Sequence, residues 1–420
     1  MDKIVISGGF PLYGDVEVSG MKNAALPIIF GCILTRSKCT IENLPMISDV
    51  TIALEIIESM GASVKYIDDT TVEIDTSELS QGKAPDELVS KMRASTYLLG
   101  AELGRFGKAD IGLPGGCNFG DRPIDQHIKG FEALGATVEM TEKCISATTE
   151  NGIHSGNVYF DITSVGATIN IITAAVLAEG LTVIENAACE PHIVDLANFF
   201  NTCGANITGA GTNIIKIRGV ESLHGCTYEI IPDMIEAGTY MTAVAATGGN
   251  INIKNIIPKH LESITAKLRD MGVTVEEDDE SVRVIADQKL KPTRVQTKPY
   301  PGFPTDMHPQ FVTLMCNAEG ESVLTENIFE HRFRYVEELT KMGADIELDG
   351  RIAKINGGKT LVGTEVHTVD LRAGAAMIVA GLCASGTTTV TGIEYIKRGY
   401  HNIVGKFKSI GAHIEEYDNI

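Results

Sequence analysis

A short signature that recurs at nearly constant spacing constrains this chain more than any other feature. A glycine, a small residue, a variable residue and a β-branched residue follow one another at six places, as in "LGATV" and "IGAHI". The signature glycines are Gly61, Gly135, Gly204, Gly272, Gly343 and Gly411, so successive copies lie 68 to 74 residues apart. The 420 residues divide into six units of 70. A period this long exceeds that of the common solenoid repeats and favours compact units instead.

Each unit contains strand-like and helix-like segments in the same order. A second series of β-branched segments, such as "SKCTIENLP" and "GLTVIENAA", alternates with the glycine signature and predicts strands. Segments such as "HLESITAKLRDMG" repeat apolar residues at spacings of three and four, which predicts amphipathic helices. Others, such as "TINIITAAVLAEG", are apolar on nearly every side and predict buried helices. We therefore predict an α/β fold of six units, grouped as two domains of three.

Composition and charge exclude several classes of protein. Hydrophobic residues make up 44% of the chain and charged residues 21%, as in globular proteins, and no apolar run is long enough to predict a transmembrane helix. The first residues, "MDKIVISGGFPLYG", lack the pattern of a signal peptide, so we expect a cytoplasmic protein. The net charge of −20 argues against nucleic acids and anionic membranes as partners. Nine cysteines without CxxC spacing favour reduced, buried thiols over disulfides or a zinc site.

Charged and polar residues recur where the predicted buried helices begin. Counting back about fourteen residues from the end of each helix reaches Lys22-Asn23, Met92-Arg93, Ser164-Val165, Ile235-Glu236, Asp306-Met307 and Leu371-Arg372. Any one of these residues alone is explained by helix capping or by solvation. The helix dipole disfavours a cation at an N-terminus. The recurrence of Lys and Arg there therefore indicates an anion-binding site.

The segment "LPGGCNFGDRP" places one cysteine, Cys117, between two glycines and an arginine, Arg122. Arg122 lies 13 residues before Gly135, and Arg398 lies 13 residues before Gly411, so two arginines occupy matching positions of the repeat. If the two predicted domains face each other, both arginines reach one anionic ligand. A single thiol is more often part of the packing than reactive. The residues alone leave both interpretations of Cys117 open.

Several longer motifs follow the order of one enzyme family. They are "SGMKNAALPI", "MRAS", "LPGGCNFGDRPIDQHI", "TSVGATIN", "FPTDM", "ENIFEHRF", "DLRAGAA" and "KRGYHNIVGKFKSIGA". In these motifs, over essentially its full length, the chain resembles the bacterial UDP-N-acetylglucosamine 1-carboxyvinyltransferases, which are enolpyruvyl transferases. The resemblance implies transfer of the enolpyruvyl group of phosphoenolpyruvate to the 3-hydroxyl of UDP-N-acetylglucosamine, with release of phosphate. That reaction is the first committed step of peptidoglycan synthesis.

The resemblance also implies a specific architecture. The family fold is a two-domain inside-out α/β barrel, with three βαβαββ-type repeats in each domain, helices inside and sheets outside. In this chain, residues 21–230 would form the first domain and carry the cysteine loop, and residues 1–20 with 231–420 would form the second. The active site would lie in the cleft between the two domains. The family chemistry needs no cofactor or metal, and the oligomeric state stays open.

Residue roles follow from the positions at which the motifs match. Cys117 is implied to be the acid that protonates the methylene carbon, and it can also bond covalently to phosphoenolpyruvate. Asp306 is implied to be the base, or the group that orients the sugar hydroxyl. Lys22, Arg122 and Arg398 are expected to bind the phosphate and carboxylate of phosphoenolpyruvate, with Lys22 and Arg398 among the catalytic groups. The positions implied around the nucleotide, the sugar and their supporting charges are Asn23, Asp49, Arg93, Pro123, Ile124, Asp125, Gln126, Ser164, Val165, Ile328, Arg332, Asp370 and Arg372.

The chain departs from the family pattern at a few positions, and two other functions stay open. Ile162 and Thr163 stand where many relatives have a lysine, which predicts one cation fewer at the diphosphate. Tyr97 stands where an indole is often found. One alternative is the sister enzyme that uses shikimate 3-phosphate, whose family lacks this cysteine loop. The other is a non-catalytic regulatory paralogue that binds the nucleotide sugar.

Overall fold

The computed structural model describes residues 2–80, 83–115 and 124–417. The chain divides into two compact units: Gly20–Ile231, the first unit, and Met1–Ser19 with Pro232–Ile420, the second unit. Helices and strands alternate through both units, which confirms the predicted α/β class. Within the described ranges, the model contains no helix that combines the length and the apolar character needed to span a bilayer.

The described part of the first unit contains three sheets. In spatial order, one consists of Thr227–Glu229, Lys38–Glu42, Val72–Asp75 and Ser63–Tyr66. The second consists of Lys108–Gly112, Cys144–Thr148 and Thr137–Met140, and the third of Asn206–Thr208, Ile214–Arg218, Leu181–Glu185 and Asn157–Tyr159. The α-helices are Lys22–Gly31, Ser48–Ser59, Asp86–Val89, Tyr97–Phe106, Asp125–Ala133, Val165–Ala175 and Pro191–Thr202, with 3-10 turns at Cys32–Leu34 and Arg93–Thr96.

The described part of the second unit also contains three sheets. Their strands, in spatial order, are Glu365–His367, Thr387–Thr391, Lys3–Ser7 and His413–Tyr417; Thr274–Glu277, Ser281–Ala286, Gly249–Lys254 and Leu12–Glu17; and Arg294–Gln296, Glu321–Thr325, Ile352–Asn356 and Ile346–Asp349. The α-helices are Met234–Thr247, Glu262–Asp270, His308–Cys316, Val336–Lys341, Leu371–Cys383, Glu394–Lys397 and Ile403–Ser409, with 3-10 turns at Pro258–Leu261 and Thr305–Met307. The N-terminal strands thus pair with strands of the C-terminal half.

The core of each unit is made of helices that are apolar on nearly every side. In the second unit, the helices Met234–Thr247, His308–Cys316 and Leu371–Cys383 pack against one another, and nearly all of their residues are buried. In the first unit, Lys22–Gly31 and Val165–Ala175 each pack against Tyr97–Phe106. Five of these helices begin at or next to the polar positions counted from the repeat, which confirms that part of the prediction, whereas a 3-10 turn at Arg93–Thr96 precedes the helix Tyr97–Phe106. A helix buried on all sides exposes its first N–H groups only where its N-terminus reaches the surface or a polar group.

The signature glycines share one backbone conformation. All six have φ between 86° and 103°, directly after the amphipathic helices. This left-handed region ends a helix at little cost only for glycine, because a Cβ there clashes with the backbone. The signature therefore marks the same helix end in every repeat, followed by a strand or a strand-like segment.

A repeated asparagine joins parallel strand ends in four of the sheets. Asn255 Nδ2 donates to the Val18 carbonyl at 2.7 Å, and Asn43 Nδ2 donates to the Ile230 carbonyl at 2.8 Å. Asn186 and Asn327 make the equivalent bonds to Phe160 and Thr297, at 2.9 Å and 3.0 Å. Each asparagine follows the central strand of its repeat, and each acceptor follows the parallel edge strand. The bond supports the parallel pairing just beyond the last ladder position.

Candidate active site

The first unit contains a buried ion pair between Lys22 and Asp49. Lys22 is the first residue of its helix, and Asp49 lies in the first turn of the helix Ser48–Ser59. Lys22 Nζ lies 2.6 Å from Asp49 Oδ2, with side-chain exposures of 12% and 3%. The carboxylate thus holds an ammonium group at a helix N-terminus, where the dipole alone would disfavour it. Asn23 follows on the same helix and is half-buried.

A second polar cluster in the first unit surrounds His127. Asn170 Nδ2 lies 2.9 Å from His127 Nδ1, and Asn170 Oδ1 accepts a hydrogen bond from the Gly100 amide at 2.8 Å. Because the second bond sets the orientation of the amide, His127 Nδ1 accepts, and the neutral ring carries its proton on Nε2. Burial, followed by the nearby Arg93 guanidinium, lowers the pKa of His127 to about 4. Burial also lowers the pKa of Arg93, whose guanidinium stays charged near neutrality.

His127 also contacts the helix that begins after Ser164. A Cβ added at Gly166 would lie 3.0 Å from the His127 ring, so only glycine fits there without a shift. Ser164 caps this helix through its Oγ, and Val165 is its first residue. The structure therefore brings His127 to the start of the helix that carries Ser164 and Val165. The backbone N–H groups in the first turn of that helix are the expected binding position for a diphosphate.

The residues that precede His127 form the start of another helix. Ile124 is buried, and Asp125 is the first residue of the helix Asp125–Ala133. Gln126 Nε2 donates to Asp125 Oδ2 at 2.8 Å, and Gln126 Oε1 accepts from the Asp161 amide at 2.9 Å. Gln126 thus ties this helix to the segment before Ser164. In that segment, the side chain of Ile162 is exposed.

In the second unit, two buried arginines hold the carboxylate of Asp306. Arg332 Nη2 lies 3.2 Å from Asp306 Oδ1, and Arg372 donates through Nε and Nη2 to Asp306 Oδ2, each at 3.0 Å. The arginine side chains are 2% and 5% exposed, whereas Asp306 keeps 27%. Burial alone would lower the pKa of Arg372, but Asp306, Tyr400 and Asp233 raise it above its ordinary value. The accessible group of the cluster is therefore the carboxylate.

The supporting residues of this cluster come from two further segments. Asp370 caps the helix Leu371–Cys383 by accepting from the Arg372 and Ala373 amides, each at 2.9 Å. The cap fixes the backbone of Arg372, and the guanidinium stacks over the Tyr400 ring at 5.5 Å. Arg372 Nη1 is buried and lacks a hydrogen-bond partner among the described residues. Arg398 is half-buried directly after the short helix Glu394–Lys397.

Ile328 lies on a loop that a buried glutamate organises. Glu326 Oε1 accepts hydrogen bonds from the Ile328 and Phe329 amides at 2.7 Å and 2.9 Å, and Glu326 Oε2 accepts from Thr305 Oγ1 at 2.9 Å. The loop is thereby tied to the turn that carries Asp306. Glu326 and Asn170 were not among the residues predicted from the sequence. The motif "ENIF" contains Glu326, but nothing in a single sequence distinguishes this buried acceptor from a surface glutamate.

Three predicted residues, Cys117, Arg122 and Pro123, lie outside the described ranges. Among the described predicted residues, the structure joins Lys22 with Asp49, and Arg93 with His127 and the helix after Ser164. It joins Asp306 with Arg332 and Arg372. The first two groups belong to the first unit and the third to the second unit.

Comparison with known proteins assigns the chain to a family, and the matches extend over nearly its full length. The model of the EPSP synthase (3-phosphoshikimate 1-carboxyvinyltransferase) family matches residues 6–407. A UDP-N-acetylglucosamine 1-carboxyvinyltransferase of Clostridium botulinum is 54% identical over 415 residues, which cover 99% of each chain. A second protein of that name, from Clostridium acetobutylicum, is 53% identical over the same shares. The chain belongs to the EPSP synthase family of enolpyruvyl transferases.

Solved structures of the family share the fold. The enolpyruvyl transferase NikO from Streptomyces tendae superposes with a TM-score of 0.89 at 26% identity, covering 99% of this chain and 98% of its own. EPSP synthase from Acinetobacter baumannii has a TM-score of 0.77 at 19% identity, a likeness in fold alone. The full-length identity of 54% and 53% to two UDP-N-acetylglucosamine 1-carboxyvinyltransferases confirms the family resemblance carried by the motifs.

Proposed function

We propose that this protein transfers the enolpyruvyl group of phosphoenolpyruvate to the 3-hydroxyl of UDP-N-acetylglucosamine and releases phosphate. The observation that carries the proposal is the 54% identity to the Clostridium botulinum protein of that name over 99% of both chains. The intact "GGCNFGDRP" motif supports it against the shikimate-type alternative. We place the reaction in the cytoplasm, at the start of peptidoglycan synthesis.

The chemistry proceeds by addition and then elimination. The sugar oxygen forms a bond to C2 of phosphoenolpyruvate while C3 gains a proton, which gives a tetrahedral intermediate. C3 then loses a proton, the bond from C2 to the phosphate oxygen breaks, and phosphate leaves. The protein must therefore supply cations for two anionic groups, an acid for C3 and an acceptor for the hydroxyl proton.

Lys22 is suited to bind phosphoenolpyruvate because Asp49 holds its ammonium group in place. A lysine ammonium group is a compact charge with three N–H donors, which suits a phosphate. We assign Arg122 and Arg398 to the carboxylate and phosphate of the same substrate, with Asn23 bridging phosphate and sugar. Arginine suits this role by its bidentate geometry.

Asp306 is suited to receive the sugar hydroxyl. Its carboxylate keeps 27% of its exposure while Arg332 and Arg372 bind it from the buried side. The bound arginines fix the direction of the carboxylate. We therefore propose that Asp306 orients the 3-hydroxyl and accepts its proton as the C–O bond forms.

We assign the remaining positions to the nucleotide and the sugar. Arg93 and the helix N-terminus at Ser164 and Val165 would bind the diphosphate, with the segment Arg122 to Gln126 around the nucleotide. Ile328 would contribute backbone groups, since its side chain is apolar. Asp370 would act through Arg372, which it positions. Cys117 would protonate C3 or add covalently to C2, and a free thiol is mostly protonated near neutral pH.

We further propose that the fold consists of six βαβαββ-type repeats, three in each unit, as an inside-out α/β barrel. The division of sheets between the two units and the shared φ of the six signature glycines support this arrangement. The domains would be 21–230 and 1–20 with 231–420.

The test measures phosphate release from phosphoenolpyruvate with either UDP-N-acetylglucosamine or shikimate 3-phosphate. Release that requires the nucleotide sugar and is lost in Cys117→Ala supports the proposal. Release with shikimate 3-phosphate assigns the protein to the sister enzyme, and nucleotide binding without release assigns it to a non-catalytic paralogue. Exposure to the epoxide fosfomycin should place an adduct on the Cys117 peptide, and a mass spectrum without it contradicts the role of that thiol.

A further inference from the structure

Three cysteines of the first unit come from separate segments and meet in space. The sulfur atoms of Cys39, Cys203 and Cys226 all lie within 4.8 Å of one another. The Cys203 and Cys226 sulfurs are 3.4 Å apart. Cys39 and Cys203 are fully buried, and Cys226 is half-buried. Cys226 is therefore the most exposed residue of the cluster.

Backbone pairing holds the three residues together independently of their side chains. Thr227 pairs with Thr40 in a parallel ladder, so Cys226 and Cys39 precede paired positions on neighbouring strands. The Thr40 amide donates to the Cys226 carbonyl at 2.8 Å. Cys203 ends the helix Pro191–Thr202, and its carbonyl accepts from the His224 amide at 2.9 Å. The parallel ladder thus places Cys39 beside Cys226, and the hydrogen bond from His224 places Cys203 close to the same strand.

We propose that Cys39, Cys203 and Cys226 form a three-thiolate site for a thiophilic closed-shell metal ion, Zn²⁺ or Cu⁺. Thiolates are the ligands that these ions prefer over oxygen donors. Sulfurs bound to one zinc ion at about 2.3 Å lie about 3.8 Å apart in a tetrahedron, so small side-chain rotations bring the three sulfurs into range. Since Cys226 is the most exposed of the three residues, the ion would enter on that side, and a water would complete a four-coordinate zinc site.

Contacts between the thiol groups accompany this geometry. The Cys39 thiol donates to Thr35 Oγ1 at 3.6 Å, and the Cys203 and Cys226 sulfurs are close enough for one thiol to donate to the other. A bound metal ion would replace these thiol protons. Each ligating thiol gives its proton to water, and no atom changes oxidation state.

The test uses the full chain, reduced and stripped of metal by a chelator under anaerobic conditions. Zn²⁺ and, separately, Cu⁺ are titrated in competition with a chromophoric chelator, and Co²⁺ reports thiolate ligation by its charge-transfer absorption. We expect one equivalent to bind and the thermal unfolding midpoint to rise with metal concentration. Affinity should fall at least tenfold in Cys203→Ser, and the Co²⁺–thiolate absorption should weaken.

Matched variants separate this site from the other thiols. Cys316→Ser removes a buried cysteine of the second unit and should leave the affinity unchanged, as should Cys117→Ala, which removes the loop thiol. If Cys203→Ser does not fold, the half-buried Cys226→Ser serves in its place. Absence of one-to-one binding of either ion, binding that is unchanged in both cluster variants, or a Cys203–Cys226 disulfide in the metal-free protein isolated without reductant would each overturn the proposal.

Discussion

At the scale of single residues, burial separates two ion-pair groups from most others in the described structure. Pairs such as Lys254–Asp15 leave about half of both side chains exposed, and exposed pairs contribute only about 0–1 kcal/mol. The pair Lys22–Asp49 and the cluster of Asp306 with Arg332 and Arg372 are largely buried. Since desolvation offsets much of their attraction, we infer that they are retained to hold charges in place rather than for stability.

Asp49→Asn should impair phosphoenolpyruvate binding because it releases Lys22 from its fixed position. We expect KM for phosphoenolpyruvate to rise about tenfold or more, since a fixed charge-assisted contact contributes roughly 1.5–3 kcal/mol. Asp15→Asn breaks an exposed Lys–Asp pair of similar length and serves as the control. Equal KM values in the two variants would show that Asp49 does not position Lys22 for the substrate.

Asp306→Asn should lower kcat while the nucleotide sugar still binds. The amide has the size of the carboxylate but cannot act as a base. Since general-base groups contribute about 10²–10⁴-fold to the rate, kcat should fall by a factor in that range. Glu330→Gln breaks the exposed pair with Arg351 and should leave kcat unchanged. Because Arg332 and Arg372 lose a partner, nucleotide binding must be measured alongside; wild-type kcat in a folded Asp306→Asn protein contradicts the assignment.

His127 should make the stability of the protein sensitive to acid. Its folded pKa of about 4 lies below the ordinary value of 6.5, mainly because of burial. Between these values the unfolded chain binds the extra proton, so the free energy of unfolding falls as pH drops from 6.5 to 4, by up to about 3 kcal/mol. Denaturant unfolding of His127→Gln should show a shallower slope in this range, whereas exposed His331→Gln should match the wild type.

At the scale of elements, the close approach of two helices in the first unit depends on glycine. A Cβ at Gly100, in the helix Tyr97–Phe106, would lie 2.5 Å from the Asn170 carbonyl oxygen. At Gly104, on the same helix, the nearest atom is 2.8 Å away but belongs to the Leu34 side chain, which can rotate. The backbone of Asn170 cannot move aside as easily as a side chain, and Asn170 also orients His127. The packing of these two helices therefore affects the polar cluster around His127.

Gly100→Ala should consequently destabilise the protein more than Gly104→Ala. Both changes gain about 1 kcal/mol of helix propensity, so their difference reports packing alone. We expect Gly100→Ala to lower the free energy of unfolding by about 1–3 kcal/mol after that gain is subtracted, as overpacking does. The change should also raise the pKa of His127, because it disturbs Asn170. Chemical denaturation measures the first effect and histidine NMR titration the second. Equal stabilities would mean that the helices separate at no cost.

At the scale of the whole molecule, six equivalent helix ends use a left-handed glycine. At Gly343 and Gly411 nothing lies within 4 Å of an added Cβ, so a substitution there meets backbone strain without a steric clash. Alanine should then cost about 1–2 kcal/mol at each position, and asparagine less, because it tolerates this region. Similar costs at the two sites, measured by denaturation, would reflect one repeated structural rule; a negligible cost at both would contradict it.

The sequence by itself determined the repeat, the α/β class, the starts of the buried helices and the family. These properties are local: periodicity decides which faces are apolar, and a glycine after a helix decides where the chain turns. Motifs such as "FPTDM" and "SVGA" also indicated Asp306, Ser164 and Val165 without any structure. Asn170 and Glu326 were not predicted from the sequence, because a buried polar residue differs from an exposed one only in its neighbours in space.

Only the tertiary structure decided which of these groups meet. Arg332 and Arg372 lie 26 and 66 residues from Asp306 along the chain, yet both bind its carboxylate. The cysteines appeared scattered, with no metal-site spacing, yet three of them converge where a parallel ladder meets a helix end. Contacts of this kind depend on strand register and helix packing across many residues. Register and packing are determined by the free energy of the whole core, which cannot be deduced from a short segment of the sequence.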